Sequence, residues 1–355
     1  MQMFESTLSR TLLIILLCAS GCGQTQIFKP LGKEHIEARF EIDGANHVLA
    51  DDGNIYRVID SGNDENGWEF VSKVFDPEEV QRSYVVDEGV TYRVDPDTEQ
   101  RFEVLREFDE SFEDLEPGLP GLTKLTSPER LRWSALTLQS PKAPTVSEYV
   151  ALRNKLLSGD GDFLDSRLEP TKELSHSGST SLKCVATAKP SSMVTCKASV
   201  SCPLVYFRNA DDFWYEAYYL AKGSLPMTLV DLESEFVQEH PGIRLRIFDD
   251  GALGVELKAL NKPQFRQDPD KRVAFPKDQW VCVRVHFHLS PTEGKVEVWQ
   301  DDVKVLDKSG PTLPFRSAIY NSLEIGISAH GNPKDSCTLY VDDVRLSATE
   351  FADGK

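Results

Sequence analysis

The stretch Val281-Cys282-Val283-Arg284-Val285-His286-Phe287-His288-Leu289 alternates without a break between apolar and polar or thiol side chains. In an extended chain successive side chains point to opposite sides. Val281, Val283, Val285, Phe287 and Leu289 therefore form one face, and Cys282, Arg284, His286 and His288 the other. A segment of this kind is a β-strand with its apolar face against a core. Working outward, similar short runs occur at 181–186, 213–220, 243–248, 254–257, 295–299, 322–328 and 337–347, separated by clusters of Gly, Pro, Asp and Asn. Helical spacing is confined to 146–157 and 229–237. Many short strands with little helix imply an all-β fold, a β-sandwich of jelly-roll type covering 111–349, with 350–355 as a tail.

Ahead of the sandwich, Asp51-Asp52-Gly53-Asn54-Ile55-Tyr56-Arg57-Val58 recurs as Asp87-Glu88-Gly89-Val90-Thr91-Tyr92-Arg93-Val94. Each copy reads as an acidic turn closed by Gly and followed by a strand, and each is followed by a second matching strand. Residues 33–110 are therefore expected to form a small duplicated antiparallel β unit. Residues 31–120 carry 25 acidic and 8 basic side chains, which accounts for nearly all of the chain's net charge of −18. A surface of that sign repels phosphates and argues against nucleic acid as a partner.

The first residues have the layout of an export signal. Arg10 is the positive flank, 11–18 is an apolar run too short to span a bilayer, and small residues follow. Ala19-Ser20-Gly21-Cys22 resembles the recognition box of bacterial lipoproteins, which implies cleavage after residue 21, lipid on Cys22 and a tether over 22–32. Ala19 departs from the usual Leu. The implied location is the cell envelope, on the outer membrane where there are two membranes, because Gly23 lacks the Asp of an inner-membrane retention signal. Five cysteines remain in the exported part: Cys184, Cys196, Cys202, Cys282 and Cys337. An oxidising compartment permits up to two disulfides, with buried thiols as the alternative, and the spacings match no zinc pattern.

The second half resembles the concanavalin A-like lectin and glucanase superfamily. The phrases that carry the likeness are Asp278-Gln279-Trp280-Val281, Glu293-Gly294-Lys295-Val296-Glu297-Val298-Trp299, Leu323-Glu324-Ile325-Gly326-Ile327 and Leu339-Tyr340-Val341-Asp342-Asp343-Val344. Its ends are similar to family-4-type carbohydrate-binding modules, through Ser111-Phe112-Glu113 and His176-Ser177-Gly178-Ser179-Thr180-Ser181-Leu182. The resemblance implies a structural calcium ion held by Glu113 and by Asp342 or Asp343, with loop carbonyls near Ser177 to Ser179 completing an oxygen shell. It also implies glycan as the partner.

On the polar side of the strands, Arg244, Arg246, Arg284, His286, His288 and Trp299 would share one outer face if their strands share a sheet. Guanidinium groups recognise carboxylate or sulfate in pairs of bonds and an indole stacks on a sugar ring, which suits an acidic polysaccharide. In 213–219, alternation makes Trp214, Glu216 and Tyr218 the exposed set, adding Trp214 and Tyr218 to the ligand-binding residues. The expectation is a glycan-binding module without turnover. A polysaccharide lyase is the alternative, with Arg284 or Arg246 neutralising a uronate and His286 or Tyr218 as base. A scaffold binding protein is a third reading. The paired carboxylate phrase of the superfamily's glucanases is absent. His286 and His288 could chelate a metal, but a third ligand is not identifiable.

Overall fold

The structure is a computed structural model that describes residues 27–28, 32–42, 44–59, 67–130, 132–237, 242–258 and 264–352. The expected export signal, Cys22 and most of the expected tether lie outside the described residues. The chain forms two compact units. One takes residues up to Val104 together with Phe236 and Val237, and the other takes the rest from Leu105. The boundary expected at 110/111 thus falls at 104/105, because Phe108–Glu110 pairs with the last strand of the sandwich.

In the first unit, β1 (Ile27–Phe28), β2 (Ile36–Ile42), β3 (Ala45–Ala50), β4 (Asn54–Ile59) and β5 (Gly67–Lys73) form one antiparallel sheet in the order β1-β5-β4-β3-β2. A short helix, Pro77–Ser83, is capped by Asp76, whose side chain accepts from the Glu78 amide. It leads to β6 (Tyr84–Asp87), β7 (Val90–Val94) and β8 (Arg101–Glu103), a three-stranded meander. The two copies of the repeat are β3-β4-β5 and β6-β7-β8. Gly53 and Gly89 sit at equivalent turns with φ of +80° and +85°, a conformation open to glycine at no steric cost. Val48, Ala50, Tyr56 and Trp68 form a small core, with Tyr56 and Trp68 ring centres 5.6 Å apart. Val237 pairs with Phe75, and Phe236 lies edge-on to Tyr84 at 6.0 Å, so both belong to this unit.

The second unit is a sandwich. In chain order its strands are β9 (Phe108–Glu110), β10 (Ala135–Thr137), β11 (Arg167–Thr171), β12 (Ser181–Ala186), β13 (Cys196–Cys202), β14 (Phe207–Arg208), β15 (Asp212–Gly223) and β16 (Thr228–Glu233). There follow β17 (Gly242–Ile247), β18 (Leu253–Leu257), β19 (Gln264–Phe265), β20 (Val281–His288), β21 (Gly294–Gln300), β22 (Val303–Gly310), β23 (Ile319–Tyr320), β24 (Ser322–His330) and β25 (Cys337–Ser347). One sheet runs β10-β13-β24-β16-β17-β18-β19 and the other β11-β12-β25-β15-β20-β21-β22, with β9 beside the end of β25. All pairings within them are antiparallel, and β24 and β25, adjacent in sequence, lie in different sheets. That interleaving of two antiparallel sheets is the jelly-roll arrangement.

Alternation sets the core. Val281, Val283, Val285, Phe287 and Leu289 are buried, as are Phe213, Tyr215, Ala217 and Tyr219 from β15 and Ile243, Leu245 and Ile247 from β17. Each large apolar side chain removed from water in this way contributes about 1.5–3 kcal/mol. The helix Val146–Leu157 forms as its spacing predicts, closed at its start by a capping box between Thr145 and Glu148. The helix expected over 229–237 does not form, because Thr228–Glu233 is the central strand β16. Among the described residues no disulfide forms: Cys184, Cys196, Cys202, Cys282 and Cys337 are free thiols, four of them buried, and burial pushes those of Cys184 and Cys202 up to about 12.

Candidate functional site

The outer face of the eight-stranded sheet holds six of the expected residues: Trp214 and Tyr218 on β15, Arg284, His286 and His288 on β20, and Trp299 on β21. Register sets Trp214 opposite His286, Glu216 opposite Arg284 and His286 opposite Glu297, so unlike charges meet across the strands. Arg284 Nε donates to Glu216 Oε2 at 2.7 Å, and Arg345 Nη1 reaches the other Glu216 oxygen at 3.3 Å. His286 Nδ1 lies 2.7 Å from Glu297 Oε2 and its Nε2 lies 2.8 Å from Asp212 Oδ1, which His288 Nδ1 also approaches at 3.1 Å. Trp214 is only 7 % exposed, stacked on His286 at 4.1 Å and beside Trp299 at 6.0 Å, with Phe351 edge-on at 6.4 Å. Lys304 lies over the Trp299 ring at 4.8 Å. Alternation assigned the face correctly, but its charges and rings serve one another.

Arg244 and Arg246 do not join them. They lie on β17 in the seven-stranded sheet, so the expectation of one shared face is corrected. Alternation tells inside from outside, whereas sheet membership depends on where the chain crosses over.

The outer face of that second sheet is a compact array of charge. Asp231 on β16 is in register with Glu324 on β24 and with Arg244, and Arg244 is in register with Glu256 on β18. Arg244 and Arg246 both bind Glu256, the latter at 2.7 Å, and Gln264 donates to the same carboxylate at 2.7 Å. Lys258 lies 2.9 Å from Asp231 Oδ1 and also bonds Glu233. Ser328 donates to Asp231 Oδ2 at 2.6 Å and Ser199 to Glu324, while Lys197 lies 3.8 Å from Glu324. The carboxylates form the floor, with Asp231, Glu256 and Glu324 side chains 5 %, 5 % and 7 % exposed, and the cations and Glu233 form a more open rim.

These environments push the carboxyls apart. Burial, then Glu233 and Asp231, hold the Glu324 carboxyl above its usual range against Lys197 and Ser199. Burial would raise Asp231 too, but Lys258 and Ser328 bring it below that range. Lys197 is raised by Glu324, and Lys258 is raised by Asp231 and Glu233 despite its burial. Three donors on this face have nothing to bind: Arg244 Nε, Arg246 Nε and the Thr228 hydroxyl are all buried without a hydrogen-bond partner. Thr228 is fully buried and in register with Arg246, so it points to the same side.

Two acidic groupings bear on metals. Asp231, Glu233 and Glu324 bring one oxygen each within 4.8 Å of the others, spaced to hold a cation. The cation in place is the Lys258 ammonium. The calcium ligands implied by resemblance, Glu113, Asp342 and Asp343, do converge on the loop Ser175 to Thr180. There Glu113 accepts from the Ser179 and Thr180 amides at 2.9 and 2.8 Å, and Asp342 Oδ2 accepts from the His176 and Ser177 amides at 2.8 and 3.3 Å. A bulge in β25 at Asp343, with φ of +48°, turns its carboxylate to His176 Nδ1 at 2.7 Å and the Ser177 hydroxyl at 2.8 Å. The partners are thus loop N–H and O–H donors rather than the carbonyl oxygens a calcium shell draws on, and the fit is partial. His176 in turn stacks on Tyr218 at 3.4 Å.

Sequence reasoning therefore found Arg244 and Arg246 but missed Thr228, Asp231, Glu233, Glu256, Lys258, Lys197 and Glu324 around them. The available signal was the alternation of Asp231 and Glu233 with Val230 and Leu232.

No family model matches the chain, and no curated protein does. Among solved structures it is similar to a cellulose induced protein, Cip1, at 14% identity over 70% of this chain and 100% of that one, with a TM-score of 0.46. It is also similar to an endo-β-1,4-glucuronan lyase from the fungus Trichoderma reesei, at 10% identity over 62% and 97% and a TM-score of 0.44. A third is alginate lyase Aly36B, at 10% identity over 69% and 97% and a TM-score of 0.38. These are likenesses of architecture, and the jelly-roll assignment rests on the strand order above.

Proposed function

We propose that this chain is an exported lipoprotein, anchored through lipid on Cys22, whose sandwich binds an acidic glycan over the outer face of the seven-stranded sheet. The observation that carries the reading is a carboxylate already seated between two guanidinium groups: Glu256 is bound by both Arg244 and Arg246, whose side chains are 22 % and 13 % exposed on this face. Glu256 occupies the position that a uronate carboxylate or a sulfate would take between the two arginines.

The test is retention of the full chain on immobilised acidic and neutral polysaccharides. Arg246→Gln is expected to weaken retention on the acidic glycan about tenfold or more, as loss of one charge-assisted contact costs roughly 1.5–3 kcal/mol. Glu256→Gln, which releases both guanidinium groups, is expected to strengthen it. Arg284→Gln is expected to change nothing, because that side chain is engaged by Glu216. Equal retention by all three variants and the wild type, or loss confined to Arg284→Gln, would overturn the placement.

A further inference from the structure

We propose that the outer face of the eight-stranded sheet carries a site for a divalent transition-metal ion such as zinc, held by His286, His288 and Asp212. The inference is independent of glycan binding, which the reading above puts on the other sheet.

Register brings the three residues together. His286 and His288 are two residues apart on β20, so both rings leave the same face. Asp212, the first residue of β15, lies directly opposite His288, and Trp214 lies opposite His286. Residues opposed across a strand pair have Cβ atoms roughly 4.5–5.5 Å apart, close enough for one carboxylate to serve two imidazoles. Asp212 Oδ1 is accordingly 2.8 Å from His286 Nε2 and 3.1 Å from His288 Nδ1. The spacing of the two histidines is legible in the sequence, and the sheet supplies the third ligand.

Two further features point to an ion. The first is that His286 is oriented from behind. Its Nδ1 lies 2.7 Å from Glu297 Oε2, Lys295 and Lys304 hold that carboxylate, and Trp214 stacks on the ring at 4.1 Å. A carboxylate on one ring nitrogen fixes the tautomer and orientation of a metal-ligating histidine. With Nδ1–H given to Glu297, the Nε2 lone pair faces an oxygen of Asp212, and that approach requires a proton or a metal ion between them. The second feature is that no lysine or arginine among the described residues pairs with Asp212, whose ionic partners are the two imidazoles. Glu216, by contrast, holds Arg284 and Arg345, and Asp231 and Glu233 hold Lys258.

The donors fit the ion. Bonds of about 2.1 Å put the ligand atoms of a four-coordinate zinc roughly 3.4 Å apart, so both contacts to Asp212 Oδ1 open by a few tenths of an ångström. Asp212 and His288 have side chains 42 % and 40 % exposed and turn onto the ion from the solvent side, while His286, at 11 %, is the anchor. Two imidazoles and a carboxylate suit zinc and its neighbours rather than calcium, which takes oxygen ligands. Three protein ligands leave a position for water. Glu297 is a positioning residue, and the bound ion ties β15 to β20.

The experiment takes the full chain without a histidine tag, strips it with a chelator, and titrates it with zinc by calorimetry and with cobalt(II) by visible absorption. One ion per chain is expected, with the cobalt bands of nitrogen and oxygen ligands. Asp212→Asn and His288→Ala, both at the exposed side of the site, are expected to weaken zinc binding about a hundredfold. Glu297→Gln keeps all three ligands and is expected to weaken it about 10–100-fold, as loss of an outer partner does. Asp231→Asn is expected to leave it unchanged. Unchanged affinity in Asp212→Asn and His288→Ala would overturn the inference, as would loss of binding in Asp231→Asn or an intense cobalt–thiolate band from a cysteine. Absence of binding at millimolar zinc would overturn it too. Each of these outcomes leaves glycan retention on the other sheet to be judged by its own test.

Discussion

Glu297 shows how one residue can settle whether a polar face is for a ligand or for the fold. Burial alone would raise its carboxyl, but Lys295, Lys304 and His286 all bond it and bring it down to about 2. A carboxyl held below its unfolded value stabilises the native state above about pH 4.5, and that contribution is lost as pH falls toward 2. The two lysines are well exposed, so after screening the effect is about 2 kcal/mol. Glu297→Gln is therefore expected to unfold more easily than wild type at neutral pH and to match it near pH 2, as read by denaturant unfolding across that range. A gap that stays constant with pH would contradict the ion pairing. The same pairings explain why His286, His288, Arg284 and Trp299 look like ligand groups in the sequence. Residue type and face are legible there, but the carboxylates that satisfy them, Asp212, Glu216 and Glu297, are identified as partners only through register.

At the level of elements, the repeat makes a paired prediction. A Cβ on Gly53 would lie 1.9 Å from the Phe75 carbonyl oxygen, whereas one on Gly89 would meet nothing within 4 Å. Gly89→Ala should cost only the strain of left-handed backbone, about 1 kcal/mol, while Gly53→Ala adds a backbone clash worth at least about 2–3 kcal/mol. Thermal unfolding of the two variants should separate them in that order, and equal losses would mean that the turns are not packed as described. Strands were legible because burial follows the two-residue period, as in Val281 to Leu289. Strand β16 was not, because Leu229, Leu232, Phe236 and Val237 also fall at helical spacing. Strand propensity and sheet pairing won there, hiding Asp231 and Glu233. Sheet membership of β17 was illegible for a different reason: in a jelly roll, neighbours in space come from distant parts of the chain.

At the scale of the whole molecule, residues 1–104 carry 20 acidic against 9 basic side chains, well over half of the net charge of −18, and the charge array of the candidate site lies in the second unit. Cys22→Ser is expected to abolish incorporation of a labelled fatty acid and to release the chain from membranes. Persistent membrane retention without label would mean a different anchor. Phe236 and Val237 complete the first unit from far along the sequence. A growing chain emerges N-terminus first, so the partners of Phe75 and Tyr84 do not exist until everything from Leu105 to Glu235 has been synthesised. At about 5–20 residues per second, that delay is on the order of ten seconds. The first unit to leave the ribosome thus cannot close on its own residues alone, and its strand edges stay open to strangers until the sandwich is half made.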